Sequence, residues 1–169
     1  MKGRDYPIVW IVLAASGLGT LFASRATWIT GKDSGGIAVD YTGVDVSPAS
    51  FACAIIVMAV AVIILISGRW VRLASGIIAL IAGTVIAVFS VGNMIVGGFS
   101  TTTTIIDASA TPWGWIASLL GVLSAVAGLI VAIRSSSWPT FSTRYERGDR
   151  TPRDAWEALD RGVDPTVDQ

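Results

Sequence analysis

Histidine is absent from the 169-residue chain, and cysteine occurs once, at Cys53. A zinc site built from cysteine and histidine is therefore excluded, and so is a histidine general base. The small apolar neighbours of Cys53 indicate an inert packing residue. Because the acidic side chains are confined to loops and termini, we expect no catalytic residues, no enzyme activity and no cofactor. The loop aspartates lack the spacing of a calcium loop, so we expect no metal site either.

Charge is also scarce. Only 14% of the residues are charged, against about 25% in an average soluble domain. Twelve basic residues balance twelve acidic ones, which argues against a partnership with nucleic acid. Apolar residues make up 53% of the chain, and the mean hydropathy is +0.67. This composition is typical of a small integral membrane protein whose main partner is the lipid bilayer.

Four long apolar runs contain no Asp, Glu, Lys or Arg. They cover residues of about 7–24, 49–67, 73–99 and 113–133, within a transmembrane domain of residues 1–133. Each run is long enough to cross a hydrocarbon core about 30 Å thick as a helix. Because lipid offers no hydrogen-bond partner to the backbone, helices are the expected structure. The predicted fold class is all-α, an integral membrane four-helix bundle.

Lysine and arginine lie mostly on one side of these spans. Ten of the twelve belong to the N-terminus, the Gly68–Arg72 loop or the C-terminal segment. The other two, Arg25 and Lys32, follow the first span. Since cytoplasmic segments carry the excess of positive charge, we expect a multi-pass protein of the cell (plasma) membrane with both termini cytoplasmic.

The two loops on the opposite side differ in composition. The first, at about Arg25–Pro48, is predicted to contain a short hairpin near Ile37–Thr42. The second, at about Ser100–Pro112, has a threonine run, Thr101–Thr104, that is predicted to be a solvated linker. A retained first span is favoured over a signal peptide cleaved near residue 24, because the apolar run exceeds the usual length.

Small residues recur every four positions within the spans. Such stripes allow close approach of helix backbones. We expect them to serve contacts within the bundle, and a homo-oligomer or another membrane protein is the alternative partner. The stripes are Ala15/Gly19, Ala79/Gly83/Ala87, Ala117/Gly121/Ala125 and Ser124/Gly128/Ala132.

Polar and aromatic residues mark the ends of the spans. Asn93 is the one strongly polar side chain within a span. It is predicted to form an interhelical hydrogen bond, with a ligand contact as the alternative. Six tryptophans near span ends suggest an aromatic belt at the bilayer interface. They are Trp10, Trp28, Trp70, Trp113, Trp115 and Trp138.

Residues 134–169 are predicted to form a cytoplasmic tail with a short amphipathic helix at about 152–161. Trp156 and Leu159 share one face of this helix. Because so short a helix is marginal in water, we expect its face to dock on the membrane surface or on a membrane or cytosolic protein. The signals that begin and end the helix are Thr151, Pro152, Gly162 and Pro165.

Two segments resemble a known family. The run Ala23–Trp28 at the end of the first span and the run Asp154–Thr166 in the tail are similar to those of the tryptophan-operon-associated membrane proteins of actinobacteria, and Arg144–Tyr145 also fits. The tail departs from the family at Val163, where glutamate is common. The tail residues that we predict to dock on a partner or on the membrane surface are Trp156, Leu159, Asp160, Arg161, Gly162, Asp164 and Pro165.

The resemblance implies four membrane spans and a link to tryptophan metabolism, but no established activity or catalytic residue. We therefore expect a non-enzymatic accessory or scaffold protein, and the alternative is a small transporter or transporter subunit for tryptophan or a related aromatic metabolite. Arg25 and Trp28 are the motif positions that carry over. They are predicted to anchor the span at the membrane interface, or alternatively to bind an amino-acid carboxylate beside a stacking indole.

Overall fold

The computed structural model describes residues 5–32, 35–95 and 106–135, which are mostly helical. All four long helices are long and apolar enough to cross a membrane, which confirms the predicted four-span class. The helices, numbered in chain order, are α1 (Asp5–Arg25), α2 (Gly43–Val46), α3 (Pro48–Ile66), α4 (Arg69–Ile95) and α5 (Trp113–Arg134).

The connection between α3 and α4 is shorter than the sequence indicated. Helix α4 begins at Arg69, four residues before the predicted start, because the backbone N–H of Arg72 donates to the carbonyl of Gly68 (3.0 Å). Only Ser67 and Gly68 separate the two helices, so the predicted Gly68–Arg72 loop is largely a helical turn. The predicted end of this span, residues 96–99, lies outside the described residues.

The four long helices form a closed ring. Helix α1 contacts α3 and α5, and α4 contacts the same two helices. The end of α1, the start of α3, the end of α4 and the start of α5 meet at one end of the ring, here called the sheet end. The opposite end, here called the terminal end, holds the α3–α4 turn, the start of α1 and the end of α5.

Helices α4 and α5 touch backbone to backbone. A Cβ atom added at Gly83 would lie 2.4 Å from the backbone nitrogen of Ala125, and one at Gly128 would lie 2.5 Å from that of Leu80. Gly76 and Gly121 have equally little space. The glycines of the predicted stripes in spans three and four therefore face each other within one chain, where dispersion and Cα–H···O contacts act at short range.

A three-stranded antiparallel sheet is the main addition to the predicted all-α fold. It consists of β1 (Thr27–Lys32), β2 (Ala38–Thr42) and β3 (Ile106–Ala110), in the order β2-β1-β3. Strands β1 and β2 form the hairpin expected in the first loop. The threonine run predicted to be a linker lies outside the described residues, and the segment that follows it forms β3, which pairs with β1, Ile29 opposite Ala110.

The buried side chains form two clusters. The larger one fills the bundle and includes Leu13, Val57 and Ile86. The smaller one lies beneath the sheet and includes Trp28, Ile29 and Val46, with Tyr41 packed against it. Large apolar side chains also point outward along the spans, as expected of surfaces that face lipid.

Candidate functional site

The motif that closes the first span forms a buried junction between α1 and the sheet. The side chain of Trp28 is fully buried, and its Nε1 donates to the carbonyl of Ala23 (2.7 Å). The same carbonyl accepts the backbone N–H of Ala26 (3.2 Å). Because the last carbonyls of a helix have no partner within the helix, these two bonds cap α1 and hold β1 against its end.

Gly43 completes this junction by leaving room for the indole. A Cβ atom at Gly43 would lie 2.5 Å from Cε2 of Trp28 and 2.8 Å from Cα of Ser24. The backbone N–H of Gly43 donates to the carbonyl of Ala26 (3.1 Å), which brings α2 onto the junction. The predicted position of Trp28 in the aromatic belt is therefore wrong, because the indole is enclosed by protein.

Arg25 lies apart from Trp28. Its side chain is exposed, and its guanidinium carbon lies 5.5 Å from the centre of the Phe51 ring. This cation–π contact joins the end of α1 to the first turn of α3. The indole of Trp28 is fully buried, so the stacking surface predicted beside Arg25 is not present.

Asn93 connects α4 to the segment that precedes α3. Its Nδ2 donates to the carbonyl of Val46 (2.8 Å), and its side chain is half-buried. A chain of hydroxyl contacts continues beside it, from Ser47 to Ser50 (2.7 Å) and from Ser50 to Ser90 (3.2 Å). These contacts join three elements at the sheet end, and they involve the amide that the sequence singled out.

A second set of hydroxyls, the hydroxyl column, runs along α1. It consists of Ser16, Thr20 and Ser24 on α1, with Ser124 on α5, and all four are buried. The Oγ atoms of Ser16 and Ser124 lie 2.7 Å apart near the middle of both helices, and Thr20 and Ser24 each donate to the carbonyl one turn earlier. Sequence reasoning missed this column, since small hydroxyl residues are common in membrane helices.

Arg72 was also missed as a buried residue. Its side chain is 1% exposed, and its Nη2 donates to the carbonyl of Ser67 (3.2 Å) at the end of α3. The cationic group thus lies where the negative end of the helix dipole favours it. Because the sequence indicated a loop here, nothing distinguished Arg72 from its exposed neighbour Arg69.

The described part of the chain contains no group of three or more metal-ligating side chains. One of its carboxylates, that of Asp45, accepts the backbone N–H of Thr42 (3.0 Å) and so caps α2. Cys53 has a free thiol and packs half-buried against the bundle core.

The predicted tail contacts lie outside the described residues. They are Trp156, Leu159, Asp160, Arg161, Gly162, Asp164 and Pro165. The structure therefore brings Trp28 and Gly43 together at the sheet end, with Asn93 and Arg25 near the same end, and leaves the tail as a prediction from sequence.

Comparison with known protein families gives a match that covers most of the chain. The pattern of the family described as tryptophan-associated transmembrane protein matches residues 10–166, which include both the Ala23–Trp28 junction and the tail motif. No curated protein and no solved structure matches the chain. The family match covers most of the chain and agrees with the four helices that suit membrane spans. The chain therefore belongs to the tryptophan-associated transmembrane protein family.

Proposed function

We propose that this multi-pass membrane protein is a non-enzymatic accessory or scaffold protein that serves tryptophan metabolism. The observation that carries the proposal is the direct backbone contact between α4 and α5. At Gly83 this contact leaves 2.4 Å between an added Cβ and the neighbouring backbone nitrogen. Helices in such contact have little freedom to separate and admit a solute. A rigid bundle of this kind suits a protein that holds a partner at the membrane.

The sheet end supports the same proposal. Trp28 and its hydrogen bond to Ala23 join α1 to β1. The N–H of Gly43 joins α2 to the same junction, and Asn93 joins α4 to the end of α2, just before α3. Since α1, α3 and α4 are thereby tied together at one end, their relative movement is restricted. We expect the partner to bind at the opposite side of the membrane, where the tail face of Trp156 and Leu159 is predicted.

The test compares partner recovery from native membranes. The full chain, the chain shortened to end at residue 149 and the Trp156→Ala variant are cross-linked in cells and purified through an N-terminal tag. We expect an enzyme of tryptophan metabolism to be recovered with the full chain only. Trp138→Ala, outside the predicted tail helix, is the matched control and should keep the partner. Equal recovery with the shortened chain would contradict the proposal.

The hydroxyl column favours a second candidate function, transport of tryptophan or a related aromatic metabolite. It places buried polar groups from Ser24 at the sheet end to Ser16 near the middle of the bundle. Uptake and efflux of labelled tryptophan are measured with and without the gene, at equal levels of the tryptophan enzymes. A flux restored by the wild type and by Arg69→Ala, but not by Arg25→Ala, would support transport. Unchanged flux would contradict it.

We further propose that the protein resides in the plasma membrane with both termini in the cytoplasm. Arg25 and Lys32 are the only basic residues of the two loops on the predicted outer side. A Gly35→Cys variant in a Cys53→Ser background should react with a membrane-impermeant maleimide on intact cells, because Gly35 is exposed in the first loop. A Gly68→Cys variant in the same background should require lysed cells, because Gly68 is equally exposed but lies in the turn between α3 and α4. The reverse labelling pattern would indicate the opposite topology, with both termini outside the cell.

A further inference from the structure

An open groove of about 430 Å³ lies between α1 and α5 at the terminal end of the bundle. It is lined by Ile8 and Val9 of α1 and by Ile130 and Arg134 of α5. Val9 is buried, whereas Ile8 is 60% exposed at the margin of the groove. Among the residues that the structure describes, the groove therefore has apolar walls and the cationic group of Arg134.

The position of the groove matches the depth at which a bilayer changes from hydrocarbon to headgroups. Ile8 lies in the first turn of α1, and Arg134 is the last residue of α5. At the same end, Trp70 is 78% exposed and lies beside the guanidinium group of Arg69 (5.9 Å). Exposed tryptophan and arginine together are typical of the membrane interface.

We propose that this groove binds one anionic phospholipid. The headgroup phosphate would pair with Arg134, and an acyl chain would lie along Ile8 and Ile130. Charge complementarity supports this occupant: Arg69, Arg72 and Arg134 lie at the terminal end, against one acidic residue, Asp5, in the described helices that begin or end there. A guanidinium group binds phosphate through two parallel hydrogen bonds, and basic pockets between membrane helices select anionic headgroups.

The inference goes beyond the proposed accessory function and does not depend on it. The groove lies at the terminal end, away from the Ala23–Trp28 junction at the sheet end. A bound lipid would add contacts to both helices and would therefore stabilise the folded chain in proportion to its concentration.

The test measures lipid binding to the full chain in detergent by native mass spectrometry. Phosphatidylglycerol and phosphatidylcholine with identical acyl chains are titrated separately. We expect phosphatidylglycerol to bind about fivefold more tightly, and Arg134→Gln to remove about that factor. Arg69→Gln is the matched control, because Arg69 carries the same charge at the same end but does not line the groove. Its effect should be clearly smaller, and Arg134→Lys should keep part of the preference.

A second pair of variants tests the apolar wall without altering charge. Ile8→Trp fills the groove, whereas Ile11→Trp enlarges an equally exposed residue of α1 outside it (60% and 56% exposed). We expect only Ile8→Trp to weaken lipid binding, with both variants retaining the helical circular-dichroism spectrum. Equal binding of the two lipids, equal effects of the two arginine variants, or a change in oligomer mass without a change in bound lipid would overturn the proposal.

Discussion

The contact between α4 and α5 at Gly83 leaves no room for a methyl group. An added Cβ would lie 2.4 Å from the nitrogen of Ala125, whereas ordinary van der Waals contact begins at 3.4 Å, a difference of about 1 Å. Because this neighbouring atom belongs to the backbone, the helices themselves must separate to accept Gly83→Ala. Overpacking of this kind costs about 1–3 kcal/mol. Alanine also favours the helical backbone by about 1 kcal/mol relative to glycine, which partly offsets that cost.

A matched variant in the same helix separates the cost of the clash from the gain in helix preference. A Cβ at Gly92 meets no heavy atom within 4 Å, so Gly92→Ala gains the helix preference without the clash. We expect the free energy of unfolding of Gly83→Ala to lie about 1–3 kcal/mol below that of Gly92→Ala. Helical circular dichroism of the full chain in mixed micelles, followed as the denaturing detergent fraction rises, measures this difference. Equal stabilities of the two variants would refute the backbone contact.

Further predictions concern the sheet end and the hydroxyl column. Trp28→Ala should lower the free energy of unfolding by about 3–5 kcal/mol, because it empties a buried site. Trp113→Ala should have little effect, since Trp113 is 43% exposed. Similar losses for the two variants in the same detergent assay would argue against the buried junction. Asn93→Ala should cost about 0.6–1 kcal/mol by removing its hydrogen bond to Val46, and no loss would show that the bond is not formed. A double-mutant cycle of Ser16→Ala and Ser124→Ala should show a coupling of about 0.6 kcal/mol, and additive effects would contradict their contact.

Part of the sheet end was predictable from local sequence. The β-branched and aromatic residues around Ile37–Thr42 indicated a strand, and β2 forms there. Strand β3 was not predictable, because its pairing with β1 joins positions such as Thr30 and Ser109, which are 79 residues apart. A short stretch of sequence carries no information about a partner at that distance, so no strand was predicted at Ile106–Ala110.

The position of Trp28 shows the same limit. By composition alone, a tryptophan three residues after a membrane span fits an interface anchor as well as it fits a buried core residue. Its burial depends on the absence of a side chain at Gly43 and on the acceptor at Ala23, and only the folded chain brings these together. Asn93, by contrast, was identifiable from sequence, since an amide within an apolar helix needs a hydrogen-bond partner wherever it lies.

The sequence by itself determined that this protein has four membrane helices, because hydropathy over about 20 residues and the lack of backbone partners in lipid are local properties. It also carried the resemblance to the family whose pattern matches residues 10–166. Only the tertiary structure decided which small residues meet, that Trp28 and Arg72 are buried, and that the two loops form one sheet. These features arise from contacts between distant segments, whose geometry is set by the close approach of whole helices.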